Sequence, residues 1–240
     1  AGEVLFYQGE VADAVYVLVN GRLCAEQAAP DGEDLLLEQL TPGSLVGELA
    51  VWTGQARTLT IRAAQSSRLF QLQATAFKQW LRANPAIRQA VAAIVLPRIQ
   101  ELQATDVLRQ IFPAADATFL CDLRAELIWH HVPSGEMLFE QGKRGNSLFV
   151  VINGRFHLRY QDETGDTRLV AEAKTAEMVG EFAVLTESVY ATTAVAVRES
   201  NVVELPQAAF QMLWGNYPQT MLPLTRSAAR RNQQILSNWQ

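Results

Sequence analysis

The residues best suited to chemistry are a carboxylate and a guanidinium at short spacing: Glu48, preceded by Gly47, and Arg57 nine positions later (57 − 48 = 9). A guanidinium fork meets two oxygens of a phosphate at once, where a lysine offers a point charge. Glu48 has no place against that anion, because two negative charges repel. An ionised carboxylate only accepts hydrogen bonds, so its natural partner is a hydroxyl donor. Gly47 permits close backbone approach, and a short helical turn from Glu48 would aim N–H groups at the phosphate. This is the chemistry of recognition and not of bond breaking. The plainer alternative is an ion pair between Arg57 and Glu48 on the surface, worth no more than about 1 kcal/mol.

The elements that must hold this pair occur twice. Shifting the sequence by 133 residues brings Gly2 onto Gly135, Phe6 onto Phe139, Asn20-Gly21-Arg22 onto Asn153-Gly154-Arg155, Gly47-Glu48 onto Gly180-Glu181, and Pro85 onto Pro218, without a gap. A period this long means two domains, expected at residues 1–104 and 105–240, and not a solenoid. The second copy is preceded by 112–133, whose counterparts would precede residue 1. The chain is therefore expected to be a fragment that begins inside its first domain.

Within the first copy, short strands are expected at 4–7, 15–19, 22–26, 35–39, 59–63 and 68–72, with Asn20-Gly21 and Asp31-Gly32 as tight hairpins. Strands this short and even imply a jelly roll or barrel. Helices follow. Thr75 is expected to cap one over 76–82, and Asn84-Pro85 to start another whose apolar stripe is Ile87, Val91, Ile94, Val95, Ile99 and Leu102. Pro97 should kink it. The fold class is thus mainly β with α: two β jelly-roll barrels, each flanked by helices.

Composition removes several function classes. With 20 Lys and Arg against 25 Asp and Glu, the chain carries a formal net charge of −5. That disfavours nucleic acid as a partner. The longest apolar run, 90–96, is far below the roughly 20 residues that cross a bilayer, so no membrane span is expected. Cys24 and Cys121 lack metal-ligand spacing and read as buried reduced thiols, consistent with a cytoplasmic protein. His130 and His131 are adjacent on a strand and point to opposite faces, so they do not chelate one metal. Gly145-Asn146-Ser147-Leu148-Phe149 fails as a nucleophile elbow, and Walker and dinucleotide-binding glycine patterns are absent. No catalytic residue, metal site or cofactor is expected. Arg226, Arg230 and Arg231 read as a solvated helix face.

The stretch Val46-Gly47-Glu48-Leu49-Ala50, followed by Ala56-Arg57-Thr58, resembles the phosphate-binding cassette of the cyclic-nucleotide-binding family. Val46 replaces the family's usual Phe, and Ala56 its usual Pro. The resemblance implies cyclic AMP or cyclic GMP as regulatory ligand, Arg57 on the cyclic phosphate and Glu48 on the ribose 2′-hydroxyl. Thr58 suits a guanine edge without deciding the base. In the second cassette, Gly180-Glu181-Phe182-Ala183, Tyr190-Ala191 stands where Arg57-Thr58 stands. A phenol carries no positive charge near neutral pH, so that site is expected to be degenerate, with Tyr190 filling it. Arg168 and Arg198 are the candidates to compensate.

The second copy is also similar to the domain preceding the lipase in bacterial patatin-like phospholipases related to neuropathy target esterase. That likeness implies an output domain elsewhere in the same polypeptide, and a parent that is cytoplasmic or peripheral to a membrane. The fragment itself is not expected to be an enzyme. A ligand-free docking or dimerisation module remains the alternative, as does a sensor of another cyclic-nucleotide-regulated protein, and homo-oligomerisation is open.

Overall fold

The computed structural model describes residues 1–28 and 34–237, with the side chains of 223, 227 and 230–237 outside the description. The chain divides into two compact units, Ala1–Leu102 and Gln103–Gln240. The first runs β1 Val4–Phe6, β2 Ala14–Asn20, β3 Leu23–Gln27, β4 Leu35–Leu40, β5 Leu45–Val46, α1 Glu48–Thr53, β6 Thr60–Ala63, β7 Arg68–Gln73 and α2 Ala74–Ala83, and then enters α3, Pro85–Ile111. The second runs α4 Ala117–Glu126, β8 Ile128–Val132, β9 Met137–Phe139, β10 Ser147–Asn153, β11 Arg155–Gln161, β12 Thr167–Lys174, β13 Met178–Val179, α5 Glu181–Leu185, β14 Thr193–Ala196, β15 Ser200–Pro206, α6 Gln207–Asn216 and α7 Pro218–Ser237.

Each unit is a jelly roll of two antiparallel sheets, and the two units share one topology. The order β1-β6-β3-β4 in the first repeats as β9-β14-β11-β12 in the second, and β5-β2-β7 repeats as β13-β10-β15, to which β8 adds an outer strand. In the first unit Phe6, Leu23, Ala25, Leu40 and Ile61 from one sheet meet Leu18 and Val46 from the other in a closed core. A second core joins Val15 to Leu49 and Val51 of α1, Phe77 and Leu81 of α2, and Val91 and Val95 of α3. Burial of large aliphatic side chains, about 1.5–3 kcal/mol each, anchors α3 against the cassette.

Several sequence expectations change at this level. Asn20-Gly21 is not a hairpin: it joins β2 of one sheet to β3 of the other. Gly21 has φ +96°, and a Cβ there would lie 2.5 Å from the Ser66 carbonyl oxygen, so the glycine serves a close crossing at a sheet corner. Asp31-Gly32 lies outside the described residues. Thr75 is not a cap, because α2 starts at Ala74 directly after β7, and the Ala74 N–H donates to the Asp13 carbonyl at 2.8 Å. Asp116 does cap α4, accepting from the Phe119 N–H at 2.7 Å. Ile94 is 42% exposed, at the edge of a stripe whose centre is Val91 and Val95. Cys121 is exposed on the face of α4 opposite Phe119, Leu120 and Leu123, and Cys24 is half-buried, so neither is a buried thiol.

Candidate functional site

Gly47 is the hinge of the first site. Its φ of +76° turns the chain out of β5 into α1, and a Cβ there would stand 2.6 Å from Arg57 Nη1. A side chain at this position would therefore be strained by the backbone and blocked by the guanidinium. Arg57 follows α1 on the loop to β6 and is only 3% exposed. Its Nη1 donates to the Gly47 carbonyl at 2.9 Å, and its Nη2 to the Ala14 carbonyl at 2.8 Å and Asp13 Oδ1 at 3.2 Å. The guanidinium carbon lies 4.1 Å from the centre of the Phe6 ring, a cation–π contact. Its Nε–H is buried and has no protein acceptor. Burial lowers the Arg57 pKa, opposed by Tyr16 and Asp13, and an arginine stays protonated at neutral pH all the same.

Glu48 does not pair with Arg57. It is 1% exposed, and its Oε1 accepts from Arg98 Nη1 of α3 at 2.7 Å. Arg98 also donates to the Leu45 carbonyl at 2.9 Å and to Glu38 Oε1 of β4 at 3.0 Å. Burial pushes the Glu48 pKa up, and the Arg98 charge and hydrogen bond oppose that rise. A pocket joins these groups. Gly47, Glu48, Leu49, Ala50, Arg57 and Thr58 all line it, together with Phe6, Glu38 and Arg98. Ala56 is exposed and is not part of the lining. The pocket thus offers a buried cation, a buried carboxylate and apolar walls between them. That combination suits a ligand bearing an anionic group, a hydroxyl and a flat apolar body.

Arg98, Glu38 and Phe6 were not found by reasoning from the cassette. Arg98 had a signal, since an arginine, Arg231, stands 133 residues later (98 + 133 = 231). Phe6 also repeats, as Phe139. Glu38 does not: Ala171 takes its place (38 + 133 = 171).

The second pocket gathers Gly180, Glu181, Phe182, Ala183, Tyr190 and Ala191 with Phe139 and Thr192. Tyr190 is 7% exposed, and its ring stacks on Phe139 with centroids 4.1 Å apart. Its hydroxyl donates to the Ser147 carbonyl at 2.7 Å. Phe139 and Ser147 are the repeat partners of Phe6 and Ala14, so the phenol occupies the place of the guanidinium. Burial raises the Tyr190 pKa, and no charge develops there near neutral pH. Neither proposed substitute reaches the pocket: Arg168 is exposed and lies 3.6 Å from Asp162, and Arg198 points to the Gly154 carbonyl at 3.4 Å.

Each histidine lies beside a carboxylate: His130 Nε2 is 2.5 Å from Glu204 Oε2, His131 Nε2 2.9 Å from Glu199 and His157 Nε2 3.2 Å from Glu172. Arg226 is exposed, and the side chains of Arg230 and Arg231 lie outside the described residues. Among the described residues, no helix is long and apolar enough to cross a membrane.

Comparison with known proteins follows the same two units. A family model described as cyclic nucleotide-binding domain matches residues 1–84 and 129–217. Human patatin-like phospholipase domain-containing protein 6 is 30% identical over 241 residues, covering 100% of this chain and 16% of that protein. Neuropathy target esterase sws of Drosophila willistoni is 30% identical over 217 residues, covering 90% of this chain and 13% of that protein. The chain therefore spans less than a fifth of the length of these relatives. Among solved structures, the regulatory domain of Toxoplasma gondii PKA with cAMP aligns with a TM-score of 0.48 and 19% identity, over 96% of this chain and 83% of that one.

Proposed function

The chain belongs to the cyclic nucleotide-binding domain family, and from that premise we propose that it is a sensing segment whose first barrel binds a cyclic nucleotide and whose second has lost the phosphate anchor. The observation that carries this reading is Arg57, a buried guanidinium at the pocket wall with an Nε–H that no protein group accepts. A cyclic phosphate would supply that acceptor, and the Glu48 carboxyl, which Arg98 faces, would take the ribose 2′-hydroxyl. Cyclic AMP and cyclic GMP are both candidate ligands. Thr58 in the wall adds a hydroxyl that suits a guanine edge.

The output lies elsewhere in the same polypeptide. The likeness to human patatin-like phospholipase domain-containing protein 6, of which this chain covers 16%, supports a patatin-like hydrolase as the parent. On that reading the catalytic residues are outside this chain, and the parent works in the cytoplasm or at a membrane surface.

Calorimetric titration of cyclic AMP and cyclic GMP into the purified chain, beside Arg57→Ala, tests the sensor. One saturable site lost in Arg57→Ala is the expected result. No heat with either nucleotide at millimolar concentration would leave a docking or dimerisation module instead.

A further inference from the structure

Glu38 is a carboxylate in the wall of the first pocket for which neither the phosphate nor the ribose hydroxyl has a use. It stands on β4 opposite Ala25 of β3 and two residues before Leu40, and Ala25 and Leu40 both belong to the closed core. Opposed residues of an antiparallel pair share a face, and so do residues i and i+2, so Glu38 lies on the inward side of its sheet. An acid on that side is costly unless a partner takes it up. Packing alone does not ask for one. The second barrel has Ala171 at the same position, packed against its core. Thr58, beside Arg57 in the first wall, likewise becomes Ala191. The barrel with the guanidinium has both polar groups, and the barrel with Tyr190 has neither.

Arg98 sets the geometry. Its Nη1 donates to Glu48 Oε1 at 2.7 Å and its Nη2 to Glu38 Oε1 at 3.0 Å, so two carboxylates share one guanidinium, and Arg57 bonds to neither. A ligand with its phosphate on Arg57 and its ribose hydroxyl on Glu48 has the base left to meet Glu38. The Glu38 side chain is half-exposed, and an ion pair of that kind adds little to stability. Arg98 orients the carboxylate through one oxygen, and lone pairs on both oxygens remain to accept. Guanine presents N1–H and N2–H2 side by side, two donors that a carboxylate meets with its two oxygens. Adenine presents an N6–H2 donor beside a bare N1, whose lone pair the carboxylate repels.

We propose that Glu38 determines the base, its carboxylate accepting from guanine N1–H and N2–H2, so that the first pocket takes cyclic GMP in preference to cyclic AMP. The inference rests on the reading of Arg57 and Glu48 as the phosphate and ribose contacts.

Cyclic GMP, cyclic AMP and cyclic IMP, which keeps N1–H and lacks the 2-amino group, are titrated by calorimetry into the full chain and into Glu38→Gln. Arg57→Ala is the control that identifies the site. The unmodified chain is expected to bind cyclic GMP about tenfold or more tighter than cyclic AMP, the difference that a hydrogen bond to a charged group makes, with cyclic IMP between them. In Glu38→Gln the preference should vanish or reverse, because an amide offers adenine N1 a donor and N6–H2 an acceptor. A merely structural Glu38 would weaken both nucleotides by one factor and leave their ratio unchanged, which overturns the proposal. If Glu38→Gln proves unfolded by circular dichroism, cyclic IMP against cyclic GMP on the unmodified chain decides the matter, and equal affinity for the two overturns it. Binding that Arg57→Ala abolishes but that is indifferent to the base, or favours cyclic AMP, overturns the role of Glu38 and leaves the sensor reading standing. Heat with neither nucleotide at millimolar concentration overturns the sensor reading and the base preference with it.

Discussion

Tyr190 donates to the Ser147 carbonyl at 2.7 Å, the same backbone position in the repeat at which Arg57 donates to the Ala14 carbonyl at 2.8 Å. Each side chain also lies over the corresponding phenylalanine, Phe139 or Phe6, at 4.1 Å. The phenol keeps the contact to this carbonyl and to the phenylalanine ring, has no bond to the Gly180 carbonyl to match that of Arg57 to Gly47, and carries no charge. One pocket wall thereby holds a buried guanidinium where the other holds a buried phenol.

Replacing Arg57 should cost binding and also some stability, because the Gly47 and Ala14 carbonyls lose their guanidinium partner. Arg57→Ala is expected to cost roughly 2–5 kcal/mol of cyclic-nucleotide affinity, the range for removing one partner of a buried charge pair. Arg57→Lys should recover only part of it, because a point charge does not reproduce the fork. Calorimetry on both variants measures the difference, and equal affinity in Arg57→Ala and the unmodified chain would show that Arg57 does not touch the ligand.

Arg98 opposes the rise that burial imposes on the Glu48 pKa. Arg98→Met removes the charge and hydrogen bond that oppose desolvation of Glu48, and is expected to destabilise the first unit by about 1–3 kcal/mol, discounted for the partial exposure of Arg98. The pH dependence has a definite sign. A carboxylate whose folded pKa lies above its ordinary 4.5 binds more protons folded than unfolded, so its contribution to stability is fully present below that value and falls as pH rises through the raised one. In Arg98→Met the folded pKa rises further, so the loss should grow from about pH 4.5 toward neutrality. Urea denaturation at several pH values reads this, and Glu48→Gln on the Arg98→Met background should flatten the profile.

Gly47→Ala should damage the site through geometry alone. The residue would be held at φ +76° with its Cβ 2.6 Å from Arg57 Nη1, so a cost of about 1–2 kcal/mol in stability is expected, together with displacement of the guanidinium. Thermal melting and nucleotide titration should both worsen. Weaker binding at unchanged stability would mean that the backbone strain is absent.

Tyr190→Phe should leave the Ser147 carbonyl and N–H of the second barrel without their phenolic partner. A loss of about 1–3 kcal/mol is expected, the cost of an unmet buried hydrogen bond. Tyr190→Arg should instead regain contacts to the Ser147 and Gly180 carbonyls and create a second anion site. A stoichiometry that stays at one cyclic nucleotide per chain in Tyr190→Arg would show that more than the charge was lost.

The duplication, the short strands and the Gly-Glu-Arg cassette are local properties of the chain, and they are legible because glycine, turn residues and alternating apolar positions act over a few residues. From them came two barrels, six strand positions in the first, and the chemical contrast between Arg57 and Tyr190. Tertiary structure decided what those residues touch. Glu48 takes its counter-charge from Arg98, fifty positions away on a helix (98 − 48 = 50), because Val91 and Val95 pack α3 against α1. Asn20-Gly21 turns a sheet corner and not a hairpin, because the strands beside it pair with partners distant in sequence. Spacing along a chain fixes which side chains share an element, whereas burial and pairing between elements depend on the whole packed core, and there the ion pairs of this site are made.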